Sequence, residues 1–132
     1  MVVSGMPEGH FPVRQVGGLP VITLPAEIDI ANAGELRAAL LAAAKRGDAS
    51  VVVDMSGTAF CDSTGLNVLV RAHKWALVEG GALRVVVAEP TLIRIFTVIG
   101  ADQMIPVFAS LDEAVSAPPG TLVGQGVSGP SA

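Results

Sequence analysis

Short apolar runs recur along the chain, separated by polar segments and glycine pairs. Two of these runs flank Gly17-Gly18, which favours a tight turn between antiparallel strands. Val51-Val52-Val53 and the run at residues 83–87 are rich in β-branched side chains without strict alternation, as in strands covered on both faces. The pattern predicts a hairpin of residues 13–16 and 21–24, followed by parallel strands at 51–53, 83–87 and 105–108.

Helical patterns fill the segments between the strands. Asn32 followed by Glu35 has the form of a capping box, and apolar residues then recur at helical spacing until Gly47. Further helices are predicted at residues 63–79, 90–100 and 111–115. The order of elements predicts an α/β domain whose mostly parallel sheet has about four or five strands, an N-terminal β-hairpin and about three or four helices.

One side of the second predicted helix allows two interpretations. Val68, Trp75 and Val78 lie opposite the stripe that should face the core. This second apolar side either meets a partner or packs against the next helix, at residues 90–100.

Composition supports one folded domain. Of the 132 residues, 51% are hydrophobic and 15% charged, which is far from the composition of disordered chains. We expect residues 11–117 to form the domain. Residues 1–10 are expected to be a flexible N-terminal tail, and residues 118–132 a flexible C-terminal tail rich in Gly and Pro.

Charge and cysteine content narrow the choice of partners and compartment. Twelve acidic and eight scattered basic residues give a net charge of −4, and only 4% of residues are aromatic, so direct nucleic-acid binding is not expected. The longest Ala/Leu run, at residues 38–44, is far shorter than the ~20 residues of a membrane span. With a lone cysteine, Cys61, and no secretion signal, a cytoplasmic protein without membrane contact is expected.

The loops at the carboxyl ends of the predicted parallel strands carry acidic residues and no Lys or Arg, and such loops hold the functional groups of α/β sheets. An acidic edge would suit a basic partner surface. Alternatively, these carboxylates cap helices or accept hydrogen bonds from backbone amides, which is the preferred interpretation for Asp54. The five residues are Glu27, Asp29, Asp54, Asp62 and Glu89.

The segment Phe60-Cys61-Asp62-Ser63-Thr64-Gly65-Leu66 ends a loop and opens a helix. A hydroxyl group there lies beside unpaired backbone N–H groups and the positive end of the helix dipole, which accommodate a phosphate. Phosphorylation would add a charge of about −1.5 to −2 beside Asp62 and repel a docked partner. The competing interpretation is that Asp62, Ser63 or Thr64 only caps the helix.

An enzyme is not expected. As a nucleophile, Ser63 would need a base within hydrogen-bond distance, but His73 lies ten residues further along the same helix, or roughly 15 Å away. His10 is in the N-terminal segment. Cys61 and His73 have no metal-ligand spacing and no phosphate-cradling loop is evident, so neither a metal nor a cofactor is expected.

Three segments together resemble the STAS domain of bacterial anti-sigma factor antagonists: Ala26-Glu27-Ile28-Asp29, Val51-Val52-Val53-Asp54-Met55-Ser56-Gly57, and the segment from Phe60 to Leu66. The resemblance covers roughly residues 13–117. In that family a serine of the Asp-Ser-Ser/Thr-Gly motif is phosphorylated by the anti-sigma factor, a serine kinase of the histidine-kinase-like ATPase fold. Ser63 matches this serine, and Thr64 is the second candidate acceptor.

The resemblance implies a partner switch. The unphosphorylated protein would bind the anti-sigma factor and release the sigma factor, phosphorylation would prevent binding, and a PP2C-type phosphatase would reset the cycle. The alternative from the same family is a regulatory module that binds a small molecule or a nucleotide. The expected partner-binding residues are Glu27, Asp29, Asp62, Ser63, Thr64, Gly65, Leu66 and Asn67.

Overall fold

The computed structural model describes residues 11–45 and 50–118. The predicted tails, apart from residue 118, and the predicted helix end at Gly47 lie outside the described residues. The strands are β1 Val13–Val16, β2 Leu19–Thr23, β3 Glu27–Ile28, β4 Val51–Met55, β5 Phe60–Cys61, β6 Leu83–Val87 and β7 Val107–Phe108, and the helices are α1 Ala33–Lys45, α2 Ser63–Val78, α3 Pro90–Val98 and α4 Leu111–Ser116, with a 3-10 turn at Ala101–Gln103.

The central sheet has the order β1-β2-β4-β6-β7. Only its β1–β2 pair is antiparallel, and the pairs β2–β4, β4–β6 and β6–β7 are parallel. Helices connect the parallel strands, as crossover connections require. The predicted α/β class, hairpin and mostly parallel sheet are therefore confirmed.

The hairpin turn depends on its two glycines. Gly17 and Gly18 both have positive φ, +60° and +84°, the left-handed conformation that a two-residue turn needs and that glycine adopts without steric strain. A Cβ atom at Gly17 would also collide with the side chain of Val115 in α4. The Gly17-Gly18 turn thus reverses the chain and also packs against α4.

The two faces of the sheet bury different sets of residues because successive strand residues point to opposite sides. Val53 and Val85 point into the main core, where Leu36, Leu69 and Phe96 from α1, α2 and α3 cover them. On the other face, Val52, Val86 and Phe108 form a smaller cluster with Ala114 of α4. Three helices cover one face, and the short α4 covers the other.

Helix α4 is attached to the sheet through a buried arginine. The Nη1 of Arg84, on β6, donates a 2.6 Å hydrogen bond to the carbonyl oxygen of Ala114, and burial lowers the pKa of the Arg84 guanidinium. At its other end, the Ser110 hydroxyl accepts a hydrogen bond from the Glu113 N–H at 3.2 Å. Both ends of this six-residue helix are therefore held by side chains.

The predicted capping box at the start of α1 is wrong. The Asn32 Oδ1 accepts a hydrogen bond from the Asp29 N–H, and its Nδ2 donates to the Glu27 carbonyl, both at 2.9 Å. The Glu35 N–H bonds to the main-chain oxygen of Asn32 instead. The Asn32 side chain therefore stabilises the loop before α1, because the Asp29 N–H and the Glu27 carbonyl are both within its hydrogen-bond distance.

Of the two interpretations of the second apolar side of α2, packing against the helix at residues 90–100 is wrong. Val68, Trp75 and Val78 share a cavity with Arg37, Leu40 and Leu41, so the neighbouring helix is α1 and not α3. In the sheet order β1-β2-β4-β6-β7, α1 connects β2 to β4 and α2 connects β4 to β6, so these two helices lie side by side on one face. Across residues 11–45 and 50–118, no helix is long and apolar enough to cross a membrane.

Candidate functional site

A two-stranded parallel pair brings the acidic segment and the serine segment together. In this pair, β3 aligns Glu27 with Phe60 of β5, and Ile28 with Cys61. Directly after β5, the Asp62 N–H donates a 3.0 Å hydrogen bond to the Ile28 carbonyl. The start of α2 is therefore hydrogen-bonded to the segment that carries Glu27 and Asp29.

Gly65 allows α2 to approach this pair closely. A Cβ atom at position 65 would lie 2.5 Å from Ile28 Cγ2 and 2.8 Å from Cys61 Sγ, separations that real Cβ atoms do not adopt. Close packing at such a site excludes any side chain unless Ile28, Cys61 or the start of α2 moves. Gly65 thus sets the position of the first turn of α2 against β3 and β5.

Asp62 is the N-cap of α2. Its backbone is extended, with φ −84° and ψ −178°, and its Oδ1 accepts a hydrogen bond from the Gly65 N–H at 3.0 Å. The capping role considered for this segment therefore belongs to Asp62. The hydroxyl groups of Ser63 and Thr64 make no hydrogen bond within the described part of the chain, and Ser63 is exposed while Thr64 is half-buried.

The other carboxylates of this edge differ in their structural roles. Asp54 is buried, and its Oδ1 accepts a 3.0 Å hydrogen bond from the Ser56 N–H, which confirms the backbone-bonding interpretation. Asp29 is half-buried and bonds in the same way to the Ala31 N–H at 2.9 Å. Glu27 is exposed, and its carboxylate has no hydrogen-bond or ion-pair partner among residues 11–45 and 50–118.

The acidic edge carries uncompensated negative charge. Glu27, Asp29 and Asp62 are joined on one side of the molecule through β3 and β5, and none of the three forms an ion pair with a residue that the structure describes. Their charge is therefore available to a basic surface outside the domain.

The remaining predicted site residues divide between surface and core. Asn67 is exposed and lies four positions after Ser63 on α2, so both side chains are on the same side of the helix. Leu66 is only 8% exposed and packs in the main core, and Gly65 is buried. Gly65 and Leu66 therefore pack the first turn of α2 against the interior of the domain.

Two apolar residues beside the serine segment were not predicted as part of the site. Ile30 is 79% exposed and Phe60 is 49% exposed, although each lies within three residues of Asp29 or Ser63. In β5 the exposed Phe60 alternates with the buried Cys61, a signal too short to recognise in the sequence. An exposed aromatic beside a polar rim is typical of a protein–protein contact.

The two reactive side-chain types near α2, the thiol of Cys61 and the imidazole of His73, are both buried. Burial, with a smaller effect from Asp62, raises the pKa of Cys61 to about 12, so its thiol is protonated and unreactive near neutral pH. His73 is buried, and its Nδ1 accepts a hydrogen bond from the Leu83 N–H at 3.2 Å. Within the described ranges, no group of three His, Cys, Asp or Glu side chains could hold a metal ion.

Comparison with known proteins agrees with the architecture. The model of the STAS domain family matches residues 10–114. The anti-sigma-B factor antagonist of Bacillus subtilis is 31% identical over 94 residues, which cover 71% of this chain and 85% of that protein.

Two solved structures show the same fold. An anti-sigma factor antagonist from Mycobacterium paratuberculosis superposes with a TM-score of 0.74 and 27% identity, over 80% of this chain and 90% of the other. The phosphorylated form of the Bacillus cell fate determinant SpoIIAA has a TM-score of 0.62 at 20% identity, over 80% of this chain and 96% of the other.

Proposed function

This chain belongs to the STAS domain family, and we propose that it is an anti-sigma factor antagonist whose partner binding is switched off by phosphorylation of Ser63. One observation carries the proposal: the exposed, unbonded Ser63 hydroxyl lies in the first turn of α2, beside the capping Asp62 and the uncompensated charge of Glu27 and Asp29. A relative of 31% identity is itself an anti-sigma factor antagonist.

The position of Ser63 lets a phosphate act on binding more than on folding. At the N-terminus of α2, the helix dipole stabilises a nearby negative charge by roughly 0.3–1 kcal/mol, which offsets the repulsion from Asp62. A docked partner gains no such compensation, because the added charge and volume lie at the contact itself. Phosphorylated Ser63 should therefore leave the fold intact and remove the partner.

The surface around Ser63 has the composition of a protein contact. Ile30 and Phe60 supply exposed apolar area, the part of an interface that contributes most of the binding free energy once water is excluded. Glu27 and Asp29 surround them with negative charge, which accelerates the approach of a basic surface. We assign that basic surface to the anti-sigma factor serine kinase, of the histidine-kinase-like ATPase fold.

The chain acts in this cycle as a substrate and a binding partner rather than as an enzyme. The histidine of α2, His73, is engaged with Leu83 and buried away from Ser63, so Ser63 has no base in its own helix. The phosphoryl group comes from ATP bound to the kinase, and a PP2C-type phosphatase removes it. The released sigma factor is the output, so no direct contact with nucleic acid is required.

The proposal is tested by mapping the phosphosite and measuring binding. Partners are retrieved with the immobilised protein from its own host, and the isolated kinase is then incubated with ATP and each variant. Ser63→Ala should abolish phosphorylation and keep full affinity for the kinase, whereas the matched variant Thr64→Ala should still be phosphorylated. Ser63→Asp should weaken binding by about tenfold or more. Modification of another residue only, or equal affinity of Ser63→Ala and Ser63→Asp, contradicts the switch.

A further inference from the structure

A cavity of about 460 Å³ lies between α1 and α2, away from the acidic edge. It reaches Val51 and Leu83, the first residues of β4 and β6, so it opens at the amino ends of the parallel strands. Ser63 lies near the opposite ends of the strands, and Trp75 follows it by twelve positions on α2, a rise of ~18 Å along the helix. The volume falls within the range of roughly 300–1,000 Å³ that is usual for small-molecule sites.

The walls of this cavity are apolar. Leu40 and Leu41 from α1 face Val68 and Trp75 from α2, and Leu83 contributes from the sheet. Trp75 remains 39% exposed in spite of these neighbours, so its ring is only partly covered by the protein. An aliphatic chain placed here would remove further apolar surface from water, which is the main driving force of such binding.

Among the residues that the structure describes, three cations and no acidic residue line the same cavity. Arg71 and Lys74 are three positions apart on α2, so they lie on the same side of the helix, and Arg37 faces them from α1. None of the three forms an ion pair or a side-chain hydrogen bond with the residues that the structure describes. All three border the same largely apolar space, and a ligand with an aliphatic body and one anionic end would complement such a lining.

We propose that the α1–α2 cavity binds an amphipathic monoanion, an aliphatic chain that ends in a carboxylate. The chain would occupy the space between Leu40, Val68 and Trp75, and the carboxylate would contact Arg71 and Lys74. Apart from the cations and the Trp75 indole N–H, the described side chains that line the cavity are apolar. Burial of the polar groups of a nucleotide base and ribose there would leave them without partners, at a cost in affinity. This proposal does not depend on the proposed role of Ser63.

Trp75 is the only tryptophan of the chain, so intrinsic fluorescence reports on this cavity directly. The full chain is titrated with dodecanoate below its micelle concentration, and with dodecanol and dodecyltrimethylammonium as probes of the same chain length. We expect a saturable blue shift of Trp75 emission with dodecanoate, and affinity about tenfold weaker for dodecanol. Equal binding of all three probes, or binding of GTP in place of dodecanoate, overturns the assigned ligand class.

Variants separate the cavity from other surfaces. The exposed pair Arg71→Gln and Lys74→Gln together should weaken dodecanoate binding by about tenfold, whereas Arg94→Gln, an exposed arginine of α3, should not. Ala72→Leu should fill the cavity and remove binding measured by calorimetry, which does not rely on Trp75. Unchanged affinity in the double variant, or in a folded Ala72→Leu variant, shows that dodecanoate binds elsewhere and overturns the site.

Discussion

The two ends of α2 present surfaces of opposite character. At its N-terminus, Glu27, Asp29 and Asp62 form an acidic edge that is held together by backbone bonds of β3 and β5. Toward its C-terminus, Arg71 and Lys74 border an apolar cavity whose lining has no acidic residue in the part of the chain that the structure describes. The net charge of −4 does not reveal that acidic and basic residues are concentrated at different ends of α2. The lesson is that one helix of 16 residues can present two surfaces of different character, because a buried stripe along its whole length fixes it to the core.

The largest effect should come from filling the contact at Gly65. Gly65→Ala places a Cβ atom against Ile28 and Cys61, so the acidic edge must shift, and we expect a loss of about 1–3 kcal/mol in the free energy of unfolding. Gly34→Ala in α1 is the matched control, because no atom lies within 4 Å of its added Cβ. It should stabilise the protein by up to about 1 kcal/mol. Urea unfolding measures both, and equal stabilities would refute the close packing.

The next effect concerns the cap of α2. Asp62→Ala removes the acceptor for the Gly65 N–H and should lower the free energy of unfolding by about 1 kcal/mol. Asp62→Asn keeps an acceptor oxygen while removing the charge, so it should be close to the unchanged protein in stability. In both variants Trp75 emission should stay as it is, because the cavity lies at the other end of α2. A shift in that emission would mean that the two ends are not independent.

A pH-dependent effect should appear between the two ends, at His73. Burial lowers the pKa of His73, and a backbone hydrogen bond with Met104 opposes this effect only in part. The unfolded chain therefore binds a proton at a higher pH than the folded chain, so stability is lost as the pH falls below the ordinary histidine pKa of about 6.5.

The comparison that isolates His73 uses His73→Asn, which retains a side-chain oxygen near the position of Nδ1 for the Leu83 N–H. Urea midpoints at about pH 7.5 and about pH 5.5 bracket the titration of an ordinary histidine. The unchanged protein should lose more stability on acidification than the variant. An identical loss in both would assign the pH dependence to other groups, such as His10.

The smallest effect should be on the rate of partner association. Asp29→Asn keeps the oxygen that the Ala31 N–H bonds and removes one charge from the acidic edge. With the proposed kinase we expect association about twofold slower at low salt, with the difference lost when salt screens charges beyond ~8–10 Å. Asp112→Asn, exposed at the start of α4, is the control. A salt-independent rate that is equal in all three proteins would contradict electrostatic attraction at this edge.

The elements that could be predicted are those whose signals are local. Gly17-Gly18 marked the hairpin turn, and the Asp62-Ser63 step marked the start of α2, because both depend on the backbone needs of a few neighbouring residues. The β3–β5 pair could not be predicted. Each strand has two residues, and their pairing joins segments more than thirty positions apart. Ile30 and Phe60 were missed as site residues because they come together only through this long-range pairing.

Packing between helices was also beyond local signals. The apolar side of α2 at Val68 and Trp75 was visible in the sequence, but the helix that lies beside it depends on the order of the strands in the sheet. The three cations of the cavity are spread over α1 and α2 and look like ordinary surface charges until the helices are side by side. Asn32 illustrates the same limit, because its side chain serves the loop before it rather than the helix after it.

The close contact at Gly65 also bears on how related proteins of this kind could diverge. It constrains the backbone that presents Ser63, whereas Ile30, Phe60 and Asn67 are exposed and are not part of that contact. Substitutions at these three surface positions can therefore accumulate without altering how the Ser63 hydroxyl is held at the surface. If the proposed switch operates, paralogues in one cell could acquire separate partners by changing this small set of side chains, and an engineer could redirect it to a new partner in the same way.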